Sequence, residues 1–335
     1  MMDENKIFQD LSRFGLSPYE VKVLSTLLLK GPLTSMDVVR ASGVPQPRIY
    51  DIFESLIRKG FVEVSPGRRR IYRAIPLSIS LERQLDELRD IADSVSSYVQ
   101  EHQGKKTNET PLVWLIEGRE HVISRIRNMI NEAKSEIILS ITYDTFRAIR
   151  KYMEKAVSRG VTVAVVLYPD TPIQRIQALD GIVAKRRESV ASEVIIVDRD
   201  QALLNVNNYN SDQNYALYFE ENELIHVLNY YYFHTIWEPS SYVNTFSSSK
   251  SLKFTTSWLA CEAIDQISKS GRPIKGELRC LIGDQEHTII GTITGTKRIP
   301  GLQHAFFIEA DGRTYSVGGR TARLEDAKLI EIKIN

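Results

Sequence analysis

Between Ser17 and Ala74 the chain is punctuated so closely that little freedom of fold remains. Ser17-Pro18-Tyr19-Glu20 sets a cap residue before proline at the first helical position, with glutamate three residues after the cap. That arrangement satisfies two backbone donors at a helix start. Val21, Leu24, Leu27 and Leu28 recur at three- and four-residue steps until Gly31-Pro32 ends the helix. Thr34 caps a short second helix, Ser35 to Ala41, stopped at Ser42-Gly43; Val44-Pro45 leads into a third from about Pro47 to Lys59. On this third helix Ile49, Ile52, Phe53, Leu56 and Ile57 form one buried stripe, and Arg48, Asp51, Ser55 and Arg58 occupy the opposite face. After Gly60, Phe61 to Val64 and Ile71 to Ala74 read as strands around Ser65-Pro66-Gly67-Arg68-Arg69-Arg70. Two helices joined by a tight turn and followed by a basic-tipped hairpin make a winged helix-turn-helix.

Charge supports a duplex as its partner. Between Val44 and Arg73 stand seven basic and three acidic side chains, a net of +4 in a chain whose total is +1. Such a local patch is drawn to phosphates, and a helix N-terminus in the major groove reads base edges. Gln46, Arg48 and Tyr50 lie at that N-terminus, and Arg68, Arg69 and Arg70 at the hairpin tip suit phosphate or minor-groove contact. Tyr50 alone serves core packing equally well, and a fold of this kind used only for protein contact is the competing reading of the patch.

The remaining chain is long enough for further cores: 335 residues, 42% apolar and 25% charged. No run of 18 apolar residues and no N-terminal export pattern occurs, so a cytoplasmic protein without a membrane partner is expected. Cys261 and Cys280 stand apart from any histidine pair, which argues for apolar packing rather than a disulfide or a metal site. No cofactor is called for.

After Pro76, Leu81, Leu85, Leu88, Ala92, Val95 and Val99 alternate at four- and three-residue steps, a heptad seam within Leu77 to Gln100. It fits either a helix packed on its own domain or, as we expect, a homodimer helix that spaces two DNA-reading units on a two-fold site. Glu101 to Pro111 is polar and reads as a linker. A strand-helix rhythm follows: strands at 112–117, 136–142 and 161–167, helices at 118–133 and 145–159, further strands at 193–197 and 216–219, and a closing helix at about 222–237. Val161 to Leu167 is apolar throughout, as in strands of parallel sheets.

The winged helix with Arg48-Ile49-Tyr50, the heptad helix and the α/β block together resemble the archaeal sugar-sensing transcriptional regulators of the TrmB family, over the entire chain. The block from Glu136 to Val163 also resembles a half-domain of the phospholipase D superfamily, which the TrmB family carries in degenerate form. The phospholipase reaction needs histidine, then lysine two residues on, then aspartate a further five on. If Asp198 is that aspartate, the other positions are Ala191 and Glu193. Alanine supplies no nucleophile, and glutamate repels a phosphate. His226 and His234 are each followed two residues later by Leu228 and Ile236, not by lysine. Enzymatic activity is therefore not expected.

From Ser247 the texture changes. Ser247 to Ser251 reads as a joint, Phe254 to Lys269 contains a helix, and strands are expected at 277–282, 287–296, 304–310, 314–317 and 328–334. The stretch from Val317 to Asp326 resembles the sugar-contacting segment of the TrmB family, which implies contacts by Gly319 and Glu325. A carboxylate accepts paired bonds from neighbouring hydroxyls, and glycine admits a ring close to the backbone. Without the resemblance, Gly318-Gly319 is an ordinary turn and Glu325-Asp326 a solvated pair. The family also uses an asparagine upstream; the comparable region here is Gly301-Leu302-Gln303-His304-Ala305, so His304 or Gln303 takes that place. Trp258, Phe306 and Phe307 serve either as core or as stacking platforms.

The expectation is thus a multidomain α/β protein: a winged helix at 1–75, a dimerisation coiled-coil helix at 76–103, a phospholipase D-like α/β domain at 111–246 and a β-rich effector domain at 250–335. It is expected to bind double-stranded DNA with an affinity set by a mono- or disaccharide. A ligand-independent architectural DNA-binding protein is the alternative.

Overall fold

The computed structural model describes residues 10–67, 69–102, 113–207, 214–246, 251–299 and 303–335. Arg68, all but the first two residues of the linker expected at 101–111 and all but the last residue of the joint expected at 247–251 lie outside the described residues; 101 and 102 continue the preceding helix. The chain divides into two compact units, Met1–Thr107 and Asn108–Asn335.

In the first unit, α1 (Pro18–Lys30) opens with the reciprocal cap: Glu20 N donates to Ser17 Oγ at 3.4 Å and Ser17 N to Glu20 Oε2 at 2.6 Å. Next come β1 (Leu33–Thr34), α2 (Ser35–Ser42), a 3₁₀ turn over Gln46–Arg48 and α3 (Ile49–Arg58). The third helix becomes α-helical two residues later than the sequence suggests, because its first turn is wound in the tighter form common at helix starts. Strands β2 (Val62–Val64) and β3 (Ile71–Ala74) pair antiparallel, and β1 adds to β3 to complete the sheet β1-β3-β2. With two residues, β1 carries no readable period. Ile49, Ile52, Phe53 and Leu56 are buried, whereas Ile57 is 38% exposed. Eight residues on from Ile49 at about 100° per residue, position 57 has turned about 80° off the stripe, which corrects its assignment to the core. Phe53 stacks on Tyr72 of β3 with centroids 3.6 Å apart, fastening helix to hairpin.

The first unit also holds a buried carboxylate, Glu20. Ser55 Oγ donates to Glu20 Oε1 at 2.6 Å and Lys59 Nζ reaches the same carboxyl at 2.9 Å. Burial alone would raise its pKa; the hydrogen bonds of Ser55, Lys59 and Ser17 overcome it and lower it to about 2. A lowered folded pKa contributes stability that is present above the ordinary carboxylate value of 4.5 and is lost as pH falls through about 2. Denaturant melts of the N-terminal unit across that interval are expected to show this loss. Glu20→Gln should remove the pH dependence and cost on the order of 2 kcal/mol at neutral pH.

Helix α4 (Leu77–His102) begins against the same core, with Ser80 Oγ donating to Gly60 O at 2.7 Å and Leu77 and Leu81 packed on the cluster. Farther along, Leu85, Leu88, Ile91, Val95, Tyr98 and Val99 are exposed.

The second unit joins two sheets. Strands β4 (Val113–Glu117), β5 (Glu136–Ile141), β6 (Thr162–Leu167), β7 (Ile182–Arg186), β8 (Glu193–Val197), β9 (Gln201–Asn207), β10 (Asn214–Phe219) and β11 (Ser241–Asn244) form an eight-stranded sheet ordered β11-β7-β6-β5-β8-β9-β10-β4. Only the β5–β6 and β6–β7 pairings are parallel, so the sheet is mixed. Helices α5 (Arg119–Glu132) and α6 (Tyr143–Ser158) contribute Ile126, Met129, Phe146 and Met153 to the core on one face. A short α7 (Ile173–Gln177) follows β6, and α8 (Asn222–Tyr231) runs on into a π-helical turn, Tyr232–Trp237. The closing helix is therefore not the last element of this part; β11 follows it.

Strand β12 (Leu252–Phe254), α9 (Ser257–Ser268) and strands β13 (Ile274–Ile282), β14 (Gln285–Ile299), β15 (Gln303–Ala310), β16 (Arg313–Gly318) and β17 (Ala327–Ile334) build the second sheet. Its order is β12-β17-β13-β14-β15-β16, and a parallel pairing of Val317 and Gly318 with Ala327 and Lys328 joins β16 back to β17, closing the strands on themselves. Gly291 is required at the wall, since a Cβ there would stand 2.2 Å from Glu309 O. One apolar cluster runs through Ile196, Trp237, Phe254, Ile264 and Phe306, so residues from 111–246 and from 250–335 share a core. Cys261 and Cys280 are free thiols buried in it.

The position compared with a catalytic aspartate has another task. Asp198, at a positive φ of 50°, accepts the backbone N–H groups of Lys134, Ser135 and Glu136 at 2.8, 2.9 and 2.8 Å. Glu193 is buried and takes Thr142 N at 2.8 Å, Thr142 Oγ1 at 2.6 Å and Asn205 Nδ2 at 2.5 Å. Both side chains fasten strand ends.

Candidate functional sites

On the first unit, Gln46, Arg48 and Tyr50 stand exposed at the start of α3, with Tyr50 at 57%, which removes it from the core. The Arg48 guanidinium lies 6.0 Å from the Tyr19 ring centroid, and Tyr50 Oη is 3.5 Å from Ser35 Oγ. Arg69 and Arg70 are exposed at the hairpin; Arg68 is outside the described residues. Not every basic side chain counted in the sequence is available. Lys59 is held by Glu20, and Arg73 pairs with Glu63 across the hairpin. Of the other described basic side chains, Arg48 at the helix start, Arg58 at its end and Arg69 and Arg70 at the hairpin are exposed.

The second unit carries a cavity of about 330 Å³ between α8 with its π turn, the N-terminus of α9, the start of β15 and the segment 319–325. Gly319, Glu325, His304 and Gln303 all line it. Gln303 Nε2 donates to Glu325 Oε1 at 2.8 Å, which fixes the carboxylate in the cavity lining. Gly318 makes the segment's return path: a Cβ there would meet Ala322 Cβ at 2.6 Å and the Glu325 carboxyl carbon at 2.7 Å. At Gly319 a Cβ would approach Ser257 Oγ to 3.2 Å.

His304 is buried within the aromatic group Phe233, His234 and Trp258, with centroids at 5.4, 6.2 and 6.2 Å. Burial, and then the neighbouring Arg298 and His234, push its pKa down, so it serves as a neutral donor and acceptor. Trp258 lines the cavity. Phe306 does not, being fully buried in the core, and Phe307 lies outside the lining.

Sequence reasoning missed the opposite wall. His226, Tyr230 and His234 recur every four residues along α8 and its π turn, and all line the cavity with Asn229, Arg199 and Arg320. The four-residue spacing was a legible sign of a shared face. Asn229 is buried, and its Oδ1, like His226 Nδ1, has no hydrogen-bond partner among the described residues. Buried polar atoms left open in a cavity wall are apt for a polar ligand.

The sequence matches three family models in succession: "Sugar-specific transcriptional regulator TrmB" at 11–78, "Transcriptional regulator TrmB, EBD N-terminal" subdomain at 112–244 and "TrmB/TrmBL1, EBD C-terminal subdomain" at 249–335. The chain belongs to the TrmB family. Among TrmB relatives, the "HTH-type sugar sensing transcriptional regulator TrmBL1" of Pyrococcus furiosus is 27% identical over 335 residues, covering 97% of each chain. YrhO of Bacillus subtilis, an uncharacterised protein, is 30% identical over 169 residues, which span 50% of this chain and 61% of YrhO. Nuc, a phospholipase D family member from Salmonella typhimurium, superposes with a TM-score of 0.35 at 20% identity, covering 41% of this chain and 100% of that chain, too loosely to assign the fold. No helix among the described residues is long and apolar enough to cross a membrane.

Proposed function

We propose that this TrmB-family chain is a cytoplasmic, homodimeric transcriptional regulator whose hold on duplex DNA is set by a sugar bound in the cavity of its second unit. The observation that carries the reading is the cavity itself, whose lining brings together Gly319, the Gln303–Glu325 pair, Trp258 and Asn229 with its unpartnered Oδ1. An acceptor carboxylate, amide groups and an aromatic plane are what a saccharide requires. The first unit acts as a winged helix: Gln46, Arg48 and Tyr50 face base edges or phosphates, and Arg68, Arg69 and Arg70 of the wing hold the backbone. The 111–246 segment serves as a degenerate phospholipase D-like scaffold and 250–335 as the effector part. Ala191 stands where a nucleophile would be needed, and Glu193 is committed to Thr142 and Asn205.

Sugar binding regulates DNA affinity only if the sugar binds the two arrangements of the protein unequally. Thermal melts with neutral and acidic mono- and disaccharides, followed by operator titrations with each binder, test this. A ligand at 100 times its Kd adds about 2.7 kcal/mol. If no saccharide changes either stability or operator affinity, the ligand-independent architectural reading replaces this one.

For the DNA face, alanine at Arg68, Arg69 and Arg70 together is expected to weaken binding to every sequence and to flatten its salt dependence. Each lost phosphate contact reduces the log–log slope by about 0.9. Arg48→Ala should instead narrow the gap between operator and random DNA. An unchanged salt slope in the triple variant would remove the wing from the phosphate backbone.

A further inference from the structure

The charges around the cavity do not suit an uncharged sugar. Arg199, Arg320 and Arg323 line it, against the single carboxylate of Glu325. Arg199 donates one hydrogen bond to Thr255 O at 3.3 Å, and Arg320 one to Asn222 Oδ1 at 2.8 Å. Both acceptors are neutral, and no carboxylate pairs with either guanidinium among the described residues. The same two arginines also border a neighbouring cavity of about 400 Å³, whose wall adds Lys134, Lys328 and an Arg279 already paired with Glu286 at 2.7 Å.

The carboxylates of that second wall are largely engaged elsewhere. Asp198 holds three backbone N–H groups, and Glu331 accepts Ser135 Oγ. Asp200 lies close enough to Arg320 and Arg199 to offset both in part. Behind Arg199, Glu136 is buried and takes Thr255 Oγ1 at 3.1 Å and Thr256 Oγ1 at 2.9 Å. Burial drives its pKa up to about 7 despite those bonds, so near neutrality it only partly offsets Arg199. Two guanidinium forks with free donors at the junction of two cavities present the geometry that planar, bidentate recognition of phosphate or carboxylate uses.

We propose that the effector is an anionic saccharide, its hydroxyls held by Glu325, Gln303 and Asn229 and its phosphate or carboxylate by Arg199 and Arg320. This rests on the sugar-sensing reading and narrows its ligand class. Arg323, exposed at the rim, adds to the attraction on approach.

The test is calorimetric titration of the full chain with hexose phosphates, disaccharide phosphates and hexuronates, each beside its neutral parent, and with inorganic phosphate alone. At least one anionic sugar is expected to bind ten times or more tightly than its parent. The preference should shrink toward unity in Arg320→Gln, an exposed position where folding is secured, and again in Arg199→Gln once a melt shows that variant folded. Parents that bind as tightly as every anionic derivative, or a preference that survives Arg320→Gln, overturn the proposal while leaving sugar sensing intact. Inorganic phosphate binding as tightly as the sugar phosphates overturns the saccharide half. Binding by no sugar of either class overturns both readings together.

Discussion

Glutamate at both Leu85 and Leu88 is expected to convert a dimer into monomers and to weaken operator binding by about two orders of magnitude or more. Both leucines lie on α4 beyond the point where it leaves its own core, 54% and 62% exposed in the single chain. Leu81, by contrast, is packed on the core of its own unit, so the seam free for a partner begins at Leu85. Burying a leucine is worth about 1.5–3 kcal/mol, and the pair counts twice across a two-fold axis. Charged replacements forfeit that and oppose like charges across the seam. Operator affinity falls with assembly because two linked reading heads bind with a high effective concentration that a lone head lacks. Sedimentation equilibrium settles the first half and operator titration the second. A variant that stays dimeric would move the interface off α4.

Glu325→Gln is expected to lower effector affinity by tenfold or more and to leave sugar-free operator binding nearly unchanged. A hydrogen bond to a charged acceptor contributes about 1.5–3 kcal/mol, and tenfold corresponds to about 1.4 kcal/mol. The bond from Gln303 explains why the loss should be large for so small a change. An amide at 325 turns one acceptor into a donor, which then faces either Gln303 or the sugar with the wrong polarity. The two activities should separate, since the exposed residues of α3 and the hairpin belong to the other compact unit. Unchanged sugar titrations would take Glu325 out of the site.

How far the sequence carried the fold varied with the physics of each element. The helices of the first unit were legible because caps, proline and glycine mark their ends; the box at Ser17 and Glu20 is formed as its spacing implies. Strands β5, β6 and β8 were legible as continuous apolar runs. Strand β7 was not, because Ile182-Val183-Ala184-Lys185-Arg186 looks half-polar. Its Lys185 is nevertheless buried, with Nζ 4.5 Å from the Trp237 ring and 4.3 Å from that of Tyr242 and paired with Glu262, a set of partners distant in sequence. Strands β1, β11 and β12 are too short to show a period.

The candidate site divided in the same way. Gly319, Glu325, His304 and Gln303 came from one half of the cavity, where local motif and resemblance pointed. Arg199 and Asn229 came from the other half, because only the shared core brings α8 and the turn after β8 against the closed sheet. No local pattern marks a residue whose role depends on a fold-back of that length.

The pairing that closes the second sheet also fixes where the segment 319–326 begins and ends. Residues 319–326 leave from Gly318 and return at Ala327, and those two ends sit side by side on hydrogen-bonded parallel strands. Holding both feet together limits how far the segment can reach and removes part of the chain entropy that it would otherwise lose when a ligand orders it. On the facing wall Tyr232, Phe233, Ile236 and Trp237 of the π-helical turn are buried in the shared core, so the cavity is bounded on one side by a paired loop and on the other by packed helix.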